Sequence, residues 1–103
     1  MAMDMQAIMR QAQKMQQQME QAQSDLDARE YEASAGGGMV TCKVSGKREI
    51  LSLTIKPEAV DPDDVEMLQD MVMAAVNEAL RQGEETREKT MSSLAPAGMG
   101  GMF

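Results

Sequence analysis

The sequence predicts an α+β subunit of α-β-β-β-α order, a three-stranded antiparallel meander packed with a long N-terminal and a long C-terminal helix. Three observations predict it. A heptad apolar repeat occupies the N-terminal segment. A two-residue alternation flanks Gly46. A broad apolar face of helical period follows Asp61-Pro62-Asp63-Asp64.

The first helix is expected over 4–29. Met1, Met5, Ile8, Ala12, Met15, Met19, Ala22 and Leu26 recur with alternating spacings of four and three, the a/d stripe of a helix that pairs with another. The intervening positions are mostly Gln, Asp, Glu and Arg, and no Gly or Pro precedes Gly36. Such a helix, roughly 39 Å long at 1.5 Å per residue, outreaches a small domain, so part of it should project. A narrow stripe is poorly stabilised in water alone and needs a partner.

Three strands are expected at 30–35, 39–45 and 49–55. Gly36-Gly37-Gly38 reads as a flexible connection between the first two. Val40, Cys42 and Val44 alternate with Thr41, Lys43 and Ser45, and Leu51, Leu53 and Ile55 alternate with Ser52 and Thr54. Ser45-Gly46-Lys47-Arg48 forms the hairpin turn, with Gly46 able to take positive φ. Pro57 ends the last strand. The second helix is expected over 62–92, with Asp61 as cap and Pro62 at the first position. Val65, Leu68, Val72, Ala75, Val76, Ala79 and Leu80 make a face wide enough for a sheet. Beyond Leu80 the face fades into a solvated extension carrying the charge pairs Glu84–Arg87 and Glu85–Lys89. A single domain over 1–92 is thus followed by a Gly- and Met-rich tail over 93–103, expected to be disordered.

Composition bears on assembly. The 103 residues include no Trp, one Tyr and one Phe. Aromatic side chains usually contribute much of a core; one built from Met, Val, Ile, Leu and Ala is marginal at this length. A homodimer that buries further surface is expected. The net charge of −7 is unlike that of most nucleic-acid-binding domains, but it is unevenly spread. Residues 57–90 hold ten acids against three bases, whereas residues 30–56 hold four bases against three acids. One cysteine forbids an intrachain disulfide and fits a reducing compartment. No signal-like or membrane-length apolar run is present. A soluble cytoplasmic protein is expected.

Catalytic chemistry finds little support. There is no His, and Cys42 sits among the apolar positions of a strand. The glycine run lacks the Lys-Ser/Thr of a phosphate loop. Asp61, Asp63, Asp64 and Glu66 lack the spacing of a calcium loop and are explained by helix capping. Met15, Met19, Met99 and Met102 could invite a copper reading, but Met on a helical stripe is ordinary apolar filling. No catalytic residue, metal, cofactor or small-molecule substrate is therefore expected. Basic residues remain. Arg10 and Lys14 lie one turn apart on the face away from the stripe; Lys43, Lys47, Arg48 and Lys56 gather at the hairpin and strand end; Arg81, Arg87 and Lys89 lie on the polar extension. No aromatic platform accompanies them, nor does a helix-turn-helix or zinc finger.

The run GGGMVTCKVSGKREILSLTIKPE followed by DPDDVEMLQDMVMAAVNEAL resembles the YbaB/EbfC family of bacterial nucleoid-associated proteins. Carrying the resemblance are Val44 and Gly46, Ile55 and Pro57, Asp61 to Asp64, and Ala74, Ala75, Asn77 and Ala79, with the Gln- and Met-rich first helix and the tail ending in Phe103. The resemblance implies a tight homodimer with helices projecting like tweezers, double-stranded DNA as partner, and a role in nucleoid organisation or gene regulation. Carried over by position on the helices, it implies DNA contacts at Arg10, Lys14, Arg81, Arg87 and Lys89. The acidity of Asp61–Asp70 confines attraction to the helix tips. A rival reading of the heptads and methionines is a dimeric coiled-coil adaptor or chaperone-like clamp that grips a protein.

Overall fold

The computed structural model describes residues 4–94. The element order is α1 (Met5–Ala28), β1 (Glu30–Ala35), β2 (Val40–Ser45), β3 (Ile50–Ile55), a 3-10 turn (Pro57–Ala59) and α2 (Val65–Leu94). This is the α-β-β-β-α order expected. Met1, the tail methionines Met99 and Met102, and Phe103 lie outside the described residues.

Asp4 starts α1, its carboxylate accepting the Gln6 N–H at 3.0 Å, which satisfies one of the orphan donors of the first turn. The sheet order is β1-β2-β3, antiparallel throughout. Tyr31, Ala33 and Ala35 pair across from Val44, Cys42 and Val40, so one face is apolar. The opposite face carries Glu30, Glu32 and Ser34 beside Ser45, Lys43 and Thr41, with Ser34 and Thr41 sharing a hydroxyl hydrogen bond of 2.9 Å. Hence the sheet is covered on one side only.

Helix α2 supplies that cover. Ala75 and Ala79 are fully buried against Ala33, Val40, Cys42 and Val44, flanked by Leu68, Met71, Val72, Val76 and Leu80. Small residues at the centre of the contact bring the helix close to the strands, and the larger ones fill its margins. The helix crosses β1 and β2 and leaves β3 uncovered except at Ile55, which is half-buried against the core. Ile50, Leu51 and Leu53 consequently stay 54%, 47% and 42% exposed. Leu53 stands opposite the buried Cys42, on the core side of the sheet. A bulge between Lys43 and Val44 leaves Leu51 as the extra residue of β3.

Several local expectations are corrected. The second helix begins at Val65 and reaches Leu94, three residues later and two later than the 62–92 expected. The Asp64 carboxylate accepts the Met67 N–H at 3.1 Å, which makes Asp64 the cap. Asp61 instead closes a turn around Pro62, its carboxylate accepting the Asp63 N–H at 2.9 Å. The glycine run is a tight turn with φ of 65°, 68° and 92° at Gly36, Gly37 and Gly38, a left-handed run that only glycine adopts without strain. In the second hairpin the positive φ belongs to Arg48, at 66°, and not to Gly46. Gly46 is needed for space: a Cβ there would collide with the Leu26 carbonyl.

Candidate nucleic-acid interface

Helix α1 meets the rest of the chain only at its C-terminal end. Leu26 is 2% exposed, Ala22 and Asp27 are half-buried, and every residue from Met5 to Gln21 is exposed. The stripe is therefore not closed within the subunit: Met5, Ile8, Met15 and Met19 are 68%, 41%, 37% and 40% exposed. The molecule measures 77 × 25 × 16 Å, the elongation that a projecting helix produces.

Arg10 and Lys14 lie on this projecting part. They are exposed and, among the described residues, neither makes an ion pair. With Gln11, Met15 and Gln18 they line a shallow open groove. No acid occurs between Met5 and Met19, so their field is not cancelled along about four turns of helix.

On α2 the three expected cations are differently placed. The Arg81 guanidinium holds Glu78 with two hydrogen bonds, of 2.9 and 2.7 Å, and Glu85 with a third of 2.7 Å. Lys89 reaches the other oxygen of Glu85 at 3.0 Å. The hydrogen bond from Arg81 holds the Glu78 carboxyl below its ordinary pKa. Those from Lys89 and then Arg81 do the same for Glu85. The reciprocal effect raises Arg81 further, chiefly through Glu78. Both carboxylates are thus ionised at neutral pH and neutralise these cations locally.

Arg87 does something else. Its Nη2 donates to the Asp27 carboxylate at 2.6 Å and to the Gly46 carbonyl at 3.1 Å. One guanidinium thereby ties the base of α1, the β2–β3 turn and α2 together. Nearby, the Gly46 N–H donates to the Arg29 carbonyl at 2.9 Å, and Arg48 reaches Glu84 at 3.6 Å. The expected Glu84–Arg87 pair is thus replaced by two longer-range ones, while Glu85–Lys89 forms. Nor is the extension wholly solvated. Gly83 lies under the Tyr31 ring, where a Cβ would come within 3.2 Å of it, and Arg87 is half-buried. The structure brings Arg10 and Lys14 together on one helix and Arg81 and Lys89 around Glu85; it does not unite the two groups.

The Asp27–Arg87–Gly46 junction escaped the sequence reading, since Asp27 and Arg87 are 60 residues apart and no local pattern links them. Cys42 is fully buried, as its place in the strand implied, and burial pushes its thiol pKa up, which disfavours the nucleophilic thiolate. Among the described residues no group of three or more His, Cys, Asp or Glu converges as metal ligands do, and no described helix is long and apolar enough to cross a membrane.

A one-sided sheet under one helix, with a second helix projecting from its edge and carrying uncancelled cations, defines an α+β class with an electrostatic arm. The YbaB/EbfC DNA-binding family matches residues 1–99, and the chain belongs to that family. It is 58% identical over 93 residues to a nucleoid-associated protein of Alkaliphilus metalliredigens, covering 90% of this chain and 82% of that protein. It is 53% identical over 102 residues to one of Clostridium novyi, covering 98% of this chain and 90% of the other. A crystal structure of an uncharacterized Helicobacter pylori protein shares the fold with a TM-score of 0.74 and 24% identity, covering 90% of this chain and 98% of that one.

Proposed function

We propose that the chain acts as a homodimeric, non-catalytic nucleoid protein of the cytoplasm that binds double-stranded DNA and organises the nucleoid. The observation that carries the DNA reading is the distal half of α1, where Arg10 and Lys14 stand exposed with no acid nearby in sequence. Lys and Arg at phosphates release condensed counterions, which drives binding irrespective of sequence. Arg81 and Lys89 are secondary contacts, available once phosphate competes with Glu78 and Glu85. Arg87 acts by holding α1 in place. The dimer reading is supported by the uncovered core-side apolar surface of β3, with Val65 and Met73 of α2 also exposed, at 51% and 60%. In a chain with no Trp, covering that surface supplies burial which one subunit lacks.

A salt-titrated gel shift with random duplex DNA tests the reading. With about six phosphate contacts per dimer, the log–log salt slope should be near −5. Replacing Arg10 and Lys14 by Ala removes about four of them and should bring the slope to roughly −2, with loss of affinity on every sequence. Retention of wild-type affinity and slope by R10A/K14A would take α1 out of the interface. No retardation at low salt would instead favour a protein-gripping adaptor.

A further inference from the structure

We infer that the stripe of α1 is a second association surface, distinct from the exposed apolar face of β3, and that its occupant is the α1 of another copy, packed antiparallel. The stripe at Met5, Ile8, Ala12, Met15 and Met19 holds the heptad period that specifies a helical partner. Within the described chain, α2 has its apolar face on the sheet. The helix with a matching free stripe is α1 itself.

Side-chain size selects the direction. In antiparallel pairing centred between Ala12 and Met15, Ala12 meets Met15 of the second copy, Ile8 meets Met19, and Met5 meets Ala22. Large residues then face small ones at the centre and at both ends, so the layers interdigitate. Parallel in-register pairing sets Met on Met and Ala on Ala, which crowds some layers and leaves gaps in others. Charge points the same way. Parallel in-register pairing would set Arg10 level with Arg10 and Lys14 level with Lys14, whereas antiparallel pairing sets them level with Gln17 and Gln13. It also sends the two acidic bodies to opposite ends of the pair, separated by more than the Debye length of about 10 Å at 0.1 M salt. Between Ile8 and Met19 the flanks of the stripe are Met9, Gln11, Gln16 and Gln18, which add no like-charge repulsion.

With Met5 at a, Arg10 falls at f and Lys14 at c, on the outer surface of such a pair. Helix pairing and phosphate contact are therefore compatible. If each partner is the dimer proposed above, pairing joins two dimers and can hold two duplex segments together. The count of four rests on that reading; the pairing itself does not.

Sedimentation velocity of the full chain without DNA tests it over micromolar to millimolar concentration. Wild type should shift from two to four protomers, and I8E/M15E should remain at two. Both positions are exposed in the subunit, so folding should be retained, checked by circular dichroism. Under mild oxidation A12C/M15C should form intermolecular disulfides readily and A12C alone should not; native Cys42 is buried. Wild type never exceeding I8E/M15E in size, or A12C alone crosslinking as well as the double variant, would overturn the antiparallel pairing; I8E/M15E falling to a monomer would overturn the claim that the stripe is a second surface distinct from β3. DNA titrations of wild type and I8E/M15E keep this question separate from DNA binding: a wild-type dimer that binds DNA but never forms tetramers refutes the pairing alone.

Discussion

The two long helices of this chain make opposite use of the same materials. Helix α2 buries Ala75 and Ala79 on the sheet and surrounds Arg81 and Lys89 with carboxylates. Helix α1 leaves its stripe in solvent and its Arg10 and Lys14 without ion-pair partners among the described residues. A helix that stabilises the fold satisfies its groups at home, whereas one that meets a partner keeps them available. The contrast depends on a narrow junction where α1 is seated.

The junction gives the largest expected effect. Gly46→Ala places a methyl group against the Leu26 carbonyl, which must displace the base of α1. We expect a loss of about 2–3 kcal/mol in urea unfolding. An unchanged midpoint would show that α1 is not seated there. Next, Arg87→Ala should cost about 1–2 kcal/mol, discounted because both partners of the ion pair are partly exposed, and Arg87→Lys should restore only part of it, lacking the planar fork. The same variant should weaken DNA binding severalfold with an unchanged salt slope. A slope flattened by about two would mean that Arg87 itself meets phosphate in each protomer.

The carboxylates of α2 allow a pH test. Both folded-state pKa values lie below the ordinary one, so their stabilisation is complete above the unfolded value of about 4.3 and disappears as pH falls through the folded values. Glu78→Gln with Glu85→Gln should therefore lose less stability than wild type on acidification below about pH 4. At neutral pH it should bind DNA more tightly, because Arg81 and Lys89 are released. Equal affinity would leave α1 as the sole contact. The smallest effect is expected at Gly83. Gly→Ala in an open helix interior gains about 1 kcal/mol, but here the new Cβ meets the Tyr31 ring at 3.2 Å, so the two should nearly cancel in urea unfolding.

What could be read from the sequence follows the range of the interactions. The α1 heptad, the alternation of Val40, Cys42 and Val44, and the apolar face of α2 are set by neighbours a few residues away, and each element stands within three residues of its expected bounds. The choice of Asp64 over Asp61 as cap was not legible, because either carboxylate satisfies the local pattern and backbone geometry decides. Nor was the exposure of β3, whose alternation says that Leu53 faces the core side but not that α2 stops short of it. For the candidate interface, the places of Arg10 and Lys14 on α1 followed from periodicity. The engagement of Arg87 with Asp27 did not, since only the fold brings them together.

Held at one end, α1 is a lever. From Asp27 to Met5 it extends about 33 Å at 1.5 Å per residue, so a rotation of about 10° at its base sweeps the tip through roughly 6 Å. That is the width of a B-form minor groove, about 6 Å. In the proposed DNA contact, an angular error of a few degrees at one carboxylate becomes a choice of which phosphates Arg10 and Lys14 reach. On that proposal, the tolerance of the arm for bent, narrowed or widened duplex is set at its far end, by how firmly Arg87 holds Asp27.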